Sequence, residues 1–421
     1  MIEAVVASTV GTTIEWYDFF LYGAAAALVF PKLFFPNHDP YIGQILSFST
    51  FTIGFLARPI GGVIFGYMGD RWGRKSALVS TLLLMGFSTL AIGFLPTYDE
   101  IGLAAPILLA VLRFLQGLGV GGEWGGAVLM AMEYGPRGRR GFYASWPQVG
   151  VPLGLLGATG AMAACQASFT PAELHQWAWR LPFYLSGLLI VIGLIIRIRI
   201  LESPLFTALR ESNEVSQSPI SETLRNHWRE ILLAAGSRMA ENACFYLFSV
   251  WVLIYGRDVL GVEKSLMLAA VCIAAAFELI TMPLYGALSD RLTRRHMYMA
   301  GCWFLILFAF PFFALLDTRQ PIWIIVAIVL ALNGGHAVLY SIQASLIPEL
   351  FGTRVRCTGA SIGYQLGAPL AGGVAPIIAA TVTKEFPGQT WILACYIILV
   401  SVISLFCVHR LAENSKRDLT P

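Results

Sequence analysis

The sequence has few charged residues. Of its 421 residues, 13% are Asp, Glu, Lys or Arg, whereas 57% are hydrophobic. Soluble globular domains usually carry about 25% charged residues. This scarcity of charge excludes an ordinary soluble protein and indicates that most of the chain is surrounded by lipid.

Cysteine is also scarce, and its seven copies follow no pattern that predicts a site. They lie scattered in apolar stretches without CxxC spacing, so neither a disulfide framework nor a zinc site is expected. The sequence contains no HExxH or GxxxxGK[ST] pattern either. An enzyme or an ATP-driven pump is therefore not expected.

Long hydrophobic segments dominate instead. They reach the roughly 20 residues that an α-helix needs to cross a bilayer, whereas a membrane β-barrel shows alternating segments of about ten. We predict an all-α integral membrane protein with twelve transmembrane helices. The predicted spans are 4–30, 45–68, 76–95, 102–132, 142–165, 181–201, 231–256, 266–287, 297–316, 321–346, 359–382 and 389–409.

A polar stretch from Glu202 to Glu230 divides these spans into two sets of six. We predict an N-terminal six-helix half at 1–201, a cytoplasmic linker at 202–230 and a C-terminal six-helix half at 231–421. Nineteen of the 28 basic residues fall on the membrane side that bears both termini, and six fall on the other. The positive-inside rule then places both termini in the cytoplasm.

The two halves repeat each other in sequence. GYMGDRWGRK at Gly66–Lys75 corresponds to GALSDRLTRR at Gly286–Arg295, 220 positions later. QVGVPL at Gln148–Leu153 corresponds to QLGAPL at Gln365–Leu370, 217 positions later. Two repeated motifs at nearly equal offsets indicate that the halves arose by duplication. Because each half has six spans, both halves run in the same direction through the membrane, and a cavity is expected between them.

Eight ionisable residues are predicted well inside the spans. Exposing such a residue to lipid costs about 3 kcal/mol on insertion scales, so all of them are expected to face the protein interior. Pairing each of the three bases with one of the five acids leaves two acids over, as a proton carrier requires. The eight residues are Glu15, Asp18, Arg58, Arg113, Glu123, Arg238, Glu241 and Glu278.

Each of these residues also has a structural interpretation. A static salt bridge from Asp18 to Arg113 or Arg238 would only fix helix packing. Arg238 can also pair with Glu241, because their i,i+3 spacing puts them on one helix face. Arg113 can instead bind a substrate carboxylate, since a guanidinium offers two parallel donors and stays charged. His336 can relay protons at physiological pH or simply fill space.

Uncharged side chains in the same spans extend the set of candidates. Arg238, Glu241 and Asn242 form a cluster in the seventh span, and Arg58 is as consistent with helix packing as with transport. Further side chains could supply hydrogen bonds or a stacking surface to a small polar ligand. These are Tyr22, Trp16, Trp124, Trp146, Tyr246, Gln148, Gln343 and Gln365.

Two motifs resemble those of a known family. Gly66, Asp70, Arg71, Gly73, Arg74 and Lys75 resemble the loop signature between the second and third helices of the major facilitator superfamily. The segment from Leu109 to Gly121, with Arg113 and Gln116, resembles its fourth-helix motif, which is associated with proton-coupled members. The resemblance implies the major facilitator fold and secondary transport.

Three further segments narrow the resemblance to the metabolite:proton symporter family. They are GTTIEWYDFFLYG in the first span, GGEWGG at Gly121–Gly126 and LESPLF after the sixth span. The GGEWGG form looks most like the shikimate-carrier-like branch of that family. That family also includes carriers for α-ketoglutarate, citrate, and proline or glycine betaine. The resemblance implies proton-coupled uptake of a small organic acid or zwitterion by alternating access.

The resemblance also assigns roles to the candidates. Asp18, Glu15 and Arg113 become candidates for proton coupling. Substrate-binding candidates are Arg113, Arg238, Glu241, Asn242, Tyr22, Trp124, Gln148, Tyr246, Gln343 and Gln365. Candidates for a gate are Gly66, Asp70, Arg71, Gly73, Arg74 and Lys75, together with Asp290 and Arg291 of the second copy.

The gate is expected to work through helix capping and ion pairs. Asp70 is expected to cap the third helix while nearby arginines pair across to the other half. The second copy has Ser289 and Thr293 where the first has Gly69 and Gly73, which suggests that the two gates are not equivalent.

The expected partners are a small-molecule substrate, protons and membrane lipid. The proton is the expected coupling ion, and no other cofactor, no metal and no nucleic acid is expected. The protein is expected to act as a monomer in the plasma (inner) membrane. Two alternatives stay open, namely a proton-independent facilitator or exchanger of the same fold and a membrane sensor, for which the polar linker is short.

Overall fold

Twelve long helices make up most of the computed structural model, which describes residues 1–36, 40–136 and 138–415. Each predicted span overlaps one helix, and the ends agree within about five residues. The helices are α1 (Ile2–Leu28), α2 (Pro40–Arg71), α3 (Arg74–Phe94), α4 (Ala104–Tyr134), α5 (Arg140–Ser168), α6 (Leu181–Arg199), α7 (Trp228–Asp258), α8 (Lys264–Arg291), α9 (Arg294–Asp317), α10 (Pro321–Leu350), α11 (Arg356–Glu385) and α12 (Trp391–Arg410).

The lengths of these helices suit a bilayer. Among the described residues, ten helices, α3 to α12, are both long and apolar enough to cross a membrane. The other two, α1 and α2, contain 27 and 32 residues and so exceed the roughly 20 residues that a span needs. The predicted all-helical membrane architecture is confirmed.

Three helices of the C-terminal half contain a wider π-helical turn at mid-length. These turns are Leu247–Trp251 in α7, Ala331–His336 in α10 and Ala368–Gly373 in α11. Such turns release backbone groups from the regular ladder and are frequent at functional sites. They place irregular backbone next to the middle of the bundle, where the polar candidates of α7 and α10 lie.

The two halves meet mainly along two helix pairs, α2 with α11 and α5 with α8. Glycines allow the close approach. A Cβ atom at Gly66 would lie 2.9 Å from the Cα atom of Thr358, and one at Gly141 would lie 2.6 Å from the carbonyl oxygen of Gly286. Small residues at such crossings let membrane helices pack backbone to backbone.

One side of the bundle holds the start of α1, the described residues that follow α12, the linker and the two repeated loops, and we call it the terminal face. The linker forms two short helices there, Pro204–Glu211 and Pro219–Asn226. The first buries Phe206 and Leu209, and the second packs against α2 and α11. The linker therefore lies against the seam between the halves.

Candidate functional site

All eight ionisable residues predicted inside the spans are buried. Their exposed fractions range from 0% for Asp18 to 4% for Glu15. The expectation that they face the protein interior is confirmed. They gather in two groups, one in each half of the protein.

Asp18 in α1 is held by two hydroxyl groups. Thr89 of α3 donates to Oδ2 at 2.9 Å, and Ser186 of α6 donates to Oδ1 at 2.6 Å. Gln116 of α4 donates to the Thr89 hydroxyl at 2.8 Å and accepts a hydrogen bond from Arg113, so a chain of hydrogen bonds joins Arg113 to Asp18. Asp18 forms no ion pair with any described residue, so a static salt bridge does not hold it.

Glu15 lies one turn before Asp18 and has different surroundings. Its Oε2 atom is buried and accepts no hydrogen bond from the described residues. Glu123 of α4, in contrast, pairs with Arg197 of α6 and accepts a hydrogen bond from the Thr81 hydroxyl at 2.9 Å. Glu15 is therefore a buried carboxylate without a direct partner.

Arg197 was missed by the sequence interpretation, which counted it with the basic residues of the terminal side. It is 2% exposed and lies inside α6. Its guanidinium lies against Gly11 of α1, where any side chain would overlap it. One feature of the sequence indicated that Arg197 is buried, namely that it lies before the predicted end of the sixth span at residue 201.

Arg58 in α2 packs against aromatic rings. Its guanidinium carbon lies 4.4 Å from the ring centre of Phe55, 4.6 Å from that of Phe19 and 5.6 Å from that of Trp16. Such cation–π contacts partly offset the loss of hydration. The Nε and Nη2 atoms are buried and donate no hydrogen bond to the described residues.

Arg113 in α4 lies between α1 and α2. Its guanidinium carbon is 4.2 Å from the ring centre of Tyr22 and 4.7 Å from that of Phe19. The Tyr22 hydroxyl in turn bonds to the Thr50 hydroxyl at 2.5 Å. Gly54 of α2 makes room, because a Cβ atom there would lie 2.8 Å from Nε of Arg113.

The C-terminal half contains a chain of charged groups from three helices. Arg238 of α7 pairs with Glu241 at 3.2 Å, as its spacing predicted. Glu241 lies 3.6 Å from Nε2 of His336 in α10, and Nδ1 of the same ring is 2.7 Å from Glu278 of α8. The contacts of His336 with these acids were not predictable from the sequence, because the three residues belong to three separate helices.

Several uncharged candidates join the two halves. Trp124 donates to Gln148 at 3.0 Å, and Gln148 donates to the carbonyl of Tyr340 at 2.6 Å. The Trp124 ring stacks on Tyr364 at 3.6 Å between centres. Gln365 donates to the carbonyl of a residue in α4 at 3.3 Å. These side chains bridge the N-terminal and C-terminal halves at mid-depth.

Other uncharged candidates keep unused polar atoms. Oδ1 of Asn242 and the hydroxyl of Tyr246 are buried without a hydrogen-bond partner among the described residues, whereas Gln343 interacts with the Glu241 carboxylate. Buried polar groups are normally satisfied, so such atoms call for an explanation. Asn242 and Tyr246 are four residues apart in α7 and so share one face of the helix.

Asp70 ties α2 to the other half at the terminal face. Its carboxylate accepts hydrogen bonds from the backbone N–H groups of Cys357 at 3.1 Å and Thr358 at 2.7 Å, in the first turn of α11. These donors have no partner within their own helix. Arg74 pairs with Asp70 at 3.1 Å and donates to the Thr353 carbonyl across the seam at 3.1 Å.

The expectation that Asp70 caps the third helix is wrong. Helix α2 continues to Arg71, so Asp70 still belongs to its last turn. The cap of α3 is Glu202, the acidic residue of LESPLF, which accepts from the N–H groups of Arg74 at 3.0 Å and Lys75 at 3.2 Å. Gly73 stands between these elements with a φ of 108°, a conformation that favours glycine.

The second copy of the motif makes the equivalent contacts. Asp290 accepts from the N–H groups of Gly141 at 2.8 Å and Phe142 at 2.9 Å, in the first turn of α5. Arg294 pairs with Asp290 at 2.8 Å and with Glu349 at 3.3 Å. Both copies thus bind a helix of the opposite half through an aspartate.

Not every predicted gating residue takes part in these clusters. Glu133, which was not predicted, lies 3.7 Å from Arg74 and 3.3 Å from Arg356 and so joins the two halves. Arg71 and Arg291 form no hydrogen bond or ion pair with the described residues. Lys75 donates to the Ile198 carbonyl at 2.7 Å within its own half.

Comparison with known proteins identifies the family. The family model described as Major Facilitator Superfamily matches residues 19–376 and 279–419. The chain belongs to this superfamily. Two related helical halves joined by reciprocal motif contacts are therefore halves of a transporter, and the major facilitator fold predicted from the motifs is confirmed.

Relatives in this superfamily cover almost the whole chain. The Shikimate transporter of Escherichia coli (strain K12) is 37% identical over 98% of this chain and 95% of its own length. The Inner membrane metabolite transport protein YhjE of the same organism is 38% identical over 98% and 95%. The predicted resemblance to a shikimate-carrier-like branch is confirmed.

Solved structures share the fold at lower identity. The proton:xylose symporter XylE bound to 6-bromo-6-deoxy-D-glucose, a major facilitator protein, has a TM-score of 0.77 and 16% identity, over 99% of this chain and 97% of its own. A structure described as the partially occluded inward open conformation of XylE from E. coli has a TM-score of 0.70. The solved structures show the fold, and the family model and the curated relatives make the chain a membrane-embedded transporter rather than an enzyme.

Proposed function

We propose that this transporter takes up a small organic acid or zwitterionic metabolite together with protons, by alternating access between its two halves. The environment of Asp18 supports the proton coupling. This carboxylate is fully buried, accepts hydrogen bonds from hydroxyl groups of α3 and α6, and forms no ion pair with the described residues. An acid in such a site can change its charge without first breaking a salt bridge.

Glu15 and Arg113 complete the proposed coupling group. Glu15 shares a helix with Asp18 and accepts no hydrogen bond at Oε2. Hydrogen bonds through Gln116 and Thr89 connect Arg113 to Asp18, so a change of charge at Asp18 alters the electrostatic environment of the guanidinium. We propose that Arg113 and the polar side chains of α7, α10 and α11 couple protonation of Asp18 to substrate binding.

The terminal face is the proposed cytoplasmic gate. The excess of basic residues on this side supports cytoplasmic termini in the inner membrane. Asp70 and Asp290 hold the halves together there, so a cavity that faces outward is sealed from the cytoplasm while these contacts persist. The name of the curated relative, Shikimate transporter, supports a carboxylate substrate.

The test is uptake into proteoliposomes with and without an imposed inward proton gradient. Radiolabelled shikimate, α-ketoglutarate, citrate, benzoate, proline and glycine betaine are offered in turn to the wild type and to Asp18→Asn. The control is Asp99→Asn, which removes the same charge from an exposed position outside the long helices.

We expect gradient-stimulated uptake of one or more carboxylates by the wild type and by Asp99→Asn. Asp18→Asn is expected to lose this stimulation but to keep exchange of internal for external substrate. Uptake that ignores the gradient, and is unchanged in Asp18→Asn, would rule out symport and leave a facilitator or exchanger.

A further inference from the structure

Arg58 is a buried cation whose donors are unused. It is 3% exposed, and its Nε and Nη2 atoms form no hydrogen bond with the described residues. It forms no ion pair with them either. An arginine stays charged at any cellular pH, and a buried charge is costly unless it is paired. Glu15 interacts electrostatically with Arg58 but does not pair with it, so the N–H donors of Arg58 stay open to an anion.

The aromatic rings around Arg58 fix its orientation. Phe55 comes from the same helix, and Phe19 and Trp16 come from α1. The rings contact the guanidinium without accepting a hydrogen bond from its Nε and Nη2 edge. Phe19 and Phe55 also pack edge to face at 5.6 Å, so this support is rigid. A carboxylate is the ligand that accepts two parallel N–H bonds from such an edge.

Helix α7 of the other half brings unused polar atoms to the same region. The Tyr246 ring packs against Phe55 at 5.4 Å between centres, and Tyr246 interacts electrostatically with Arg58. Asn242 lies beside Tyr246, because a Cβ atom at Gly372 would touch both side chains. Oδ1 of Asn242 and the hydroxyl of Tyr246 are buried without a partner among the described residues.

The two arginines favoured from the sequence are engaged differently. Arg238 pairs with Glu241 and donates to the Tyr364 carbonyl at 2.5 Å. Arg113 donates to Gln116 and lies over Tyr22. Each of these two arginines therefore donates to a polar side chain of its own helix, whereas Arg58 donates to no side chain of the described residues.

We propose that Arg58 binds the carboxylate of the transported solute and that Asn242 and Tyr246 bind its hydroxyl groups. This inference rests on the proposed function and names the substrate class more narrowly, as a small hydroxylated monocarboxylate with an apolar face that packs on Trp16 and Phe19. Hydroxyl groups both donate and accept, so they satisfy Asn242 and Tyr246 together. Glycine betaine offers no donor, and benzoate offers a carboxylate alone.

The position of the site links binding to the transport cycle. Arg58 belongs to the N-terminal half, and Asn242 and Tyr246 belong to the C-terminal half. A solute held by both groups joins the halves at mid-depth. When the halves rock apart on one side, contacts to one half are lost and the solute is released.

The test measures binding to the purified protein in detergent and uptake in proteoliposomes, with shikimate as the probe. Shikimate methyl ester has the same hydroxyl groups without the charge, and benzoate and glycine betaine lack the hydroxyl groups. The variants are Arg58→Gln, Arg58→Lys and Asn242→Ala. Arg210→Gln removes an exposed arginine in the linker and is the matched control. Thermal unfolding verifies that each variant is folded.

We expect the wild type and Arg210→Gln to bind shikimate and to bind its methyl ester, benzoate and betaine at least about tenfold more weakly. Arg58→Gln should lose about a hundredfold in affinity, because two charge-assisted hydrogen bonds disappear. Arg58→Lys should recover part of this loss, since a lysine restores the charge without the fork. Asn242→Ala should weaken shikimate binding but leave the weaker binding of benzoate unchanged.

Two results would overturn the proposal. One is a folded Arg58→Gln protein that binds shikimate within about threefold of the wild type. The other is a wild type that binds the methyl ester as well as shikimate, or that binds no carboxylate of the panel. Failure of proton coupling looks different, because uptake would then ignore the gradient while the dependence on Arg58 persists.

Discussion

Asp70 and Asp290 lie 220 residues apart and make the same contact in opposite directions. Asp70 of the N-terminal half binds the first turn of α11, and Asp290 of the C-terminal half binds the first turn of α5. Each carboxylate accepts two backbone N–H groups at a helix N-terminus, where the helix dipole favours negative charge. The sequence repeat is therefore also a repeat of interactions, and the terminal face is closed by two matched contacts.

The first prediction concerns these two carboxylates. Asp70→Asn and Asp290→Asn keep the size of the side chain but remove its charge, so each should weaken closure of the terminal face. We expect transport turnover to fall about tenfold in each variant, while substrate affinity stays within about threefold. Uptake kinetics and equilibrium binding measure the two effects separately. Asp99→Asn is the control, and an unchanged turnover in both motif variants would contradict the gating role.

The two copies differ in how the following helix begins. In the first copy Glu202, contributed by the linker end of α6, caps α3 from a distance. In the second copy Thr293 caps α9 locally, because its side chain accepts from the N–H group of His296 at 3.3 Å. This difference follows from the glycine at 73 and the threonine at 293. It supports the prediction from the sequence that the two gates are not equivalent.

The second prediction concerns the cap of α3. Glu202→Ala removes an acceptor for two backbone N–H groups, so it should lower the free energy of unfolding by about 1 kcal/mol. Thr293→Ala should have a similar effect on α9. Thermal unfolding in detergent measures both. Glu211→Ala removes an exposed acid of the linker and should leave the unfolding midpoint unchanged. A Glu202→Ala midpoint equal to that of Glu211→Ala would exclude the capping role.

Much of the fold was predictable because lipid imposes a simple rule on sequence. Hydrophobic length located the helices, and the cost of a charge in hydrocarbon predicted that Asp18, Arg113 and Glu278 are buried. The partners of these charges were not predictable. Glu123 and Arg197 are 74 residues apart and Glu278 and His336 are 58 apart, and nothing local in the sequence pairs them. The direction in which Asp70 points depends equally on how the halves dock.

The third prediction tests the charge chain of the C-terminal half. His336 lies between Glu241 and Glu278, so His336→Leu leaves Glu278 as an unpaired buried acid. This should lower the free energy of unfolding by about 3 to 5 kcal/mol. The double variant His336→Leu with Glu278→Met removes both partners and should recover most of the loss. Thermal unfolding measures both variants, and a double variant no more stable than the single one would show that the pairing is not what stabilises this region.

The fourth prediction concerns the glycines that position Arg58. A Cβ atom at Gly121 of α4 would overlap the carbonyl oxygen of Arg58, and one at Gly61 of α2 would overlap that of Leu118. Gly121→Ala should therefore push α2 and α4 apart and cost about 1 to 3 kcal/mol of stability. Gly160→Ala in α5 meets open space and is the matched control. The midpoint of thermal unfolding and the affinity for shikimate should both fall in Gly121→Ala and stay unchanged in Gly160→Ala. An unchanged midpoint in Gly121→Ala would contradict the close packing.

The last prediction concerns the relation between Glu15 and Arg58. The charged groups that interact with Glu15 are Glu123 of α4, Arg58 of α2, Arg197 of α6 and Asp18 of its own helix. Glu123 and Arg197 are paired with each other, and Asp18 is held by hydroxyl groups. Glu15 and Arg58 thus remain as a buried acid and a buried base that form no ion pair with the described residues.

This arrangement makes an ionised Glu15 a competitor for the substrate carboxylate at Arg58. A proton on Glu15 removes the competition, so the wild type should bind shikimate more tightly at mildly acidic pH than at mildly alkaline pH. Glu15→Gln imitates the protonated acid and should bind tightly at both, with uptake that no longer responds to the proton gradient. Equilibrium binding at the two pH values measures this. If Glu15→Gln keeps the pH dependence of the wild type, Glu15 does not control substrate binding at Arg58, and proton coupling rests on Asp18 without it.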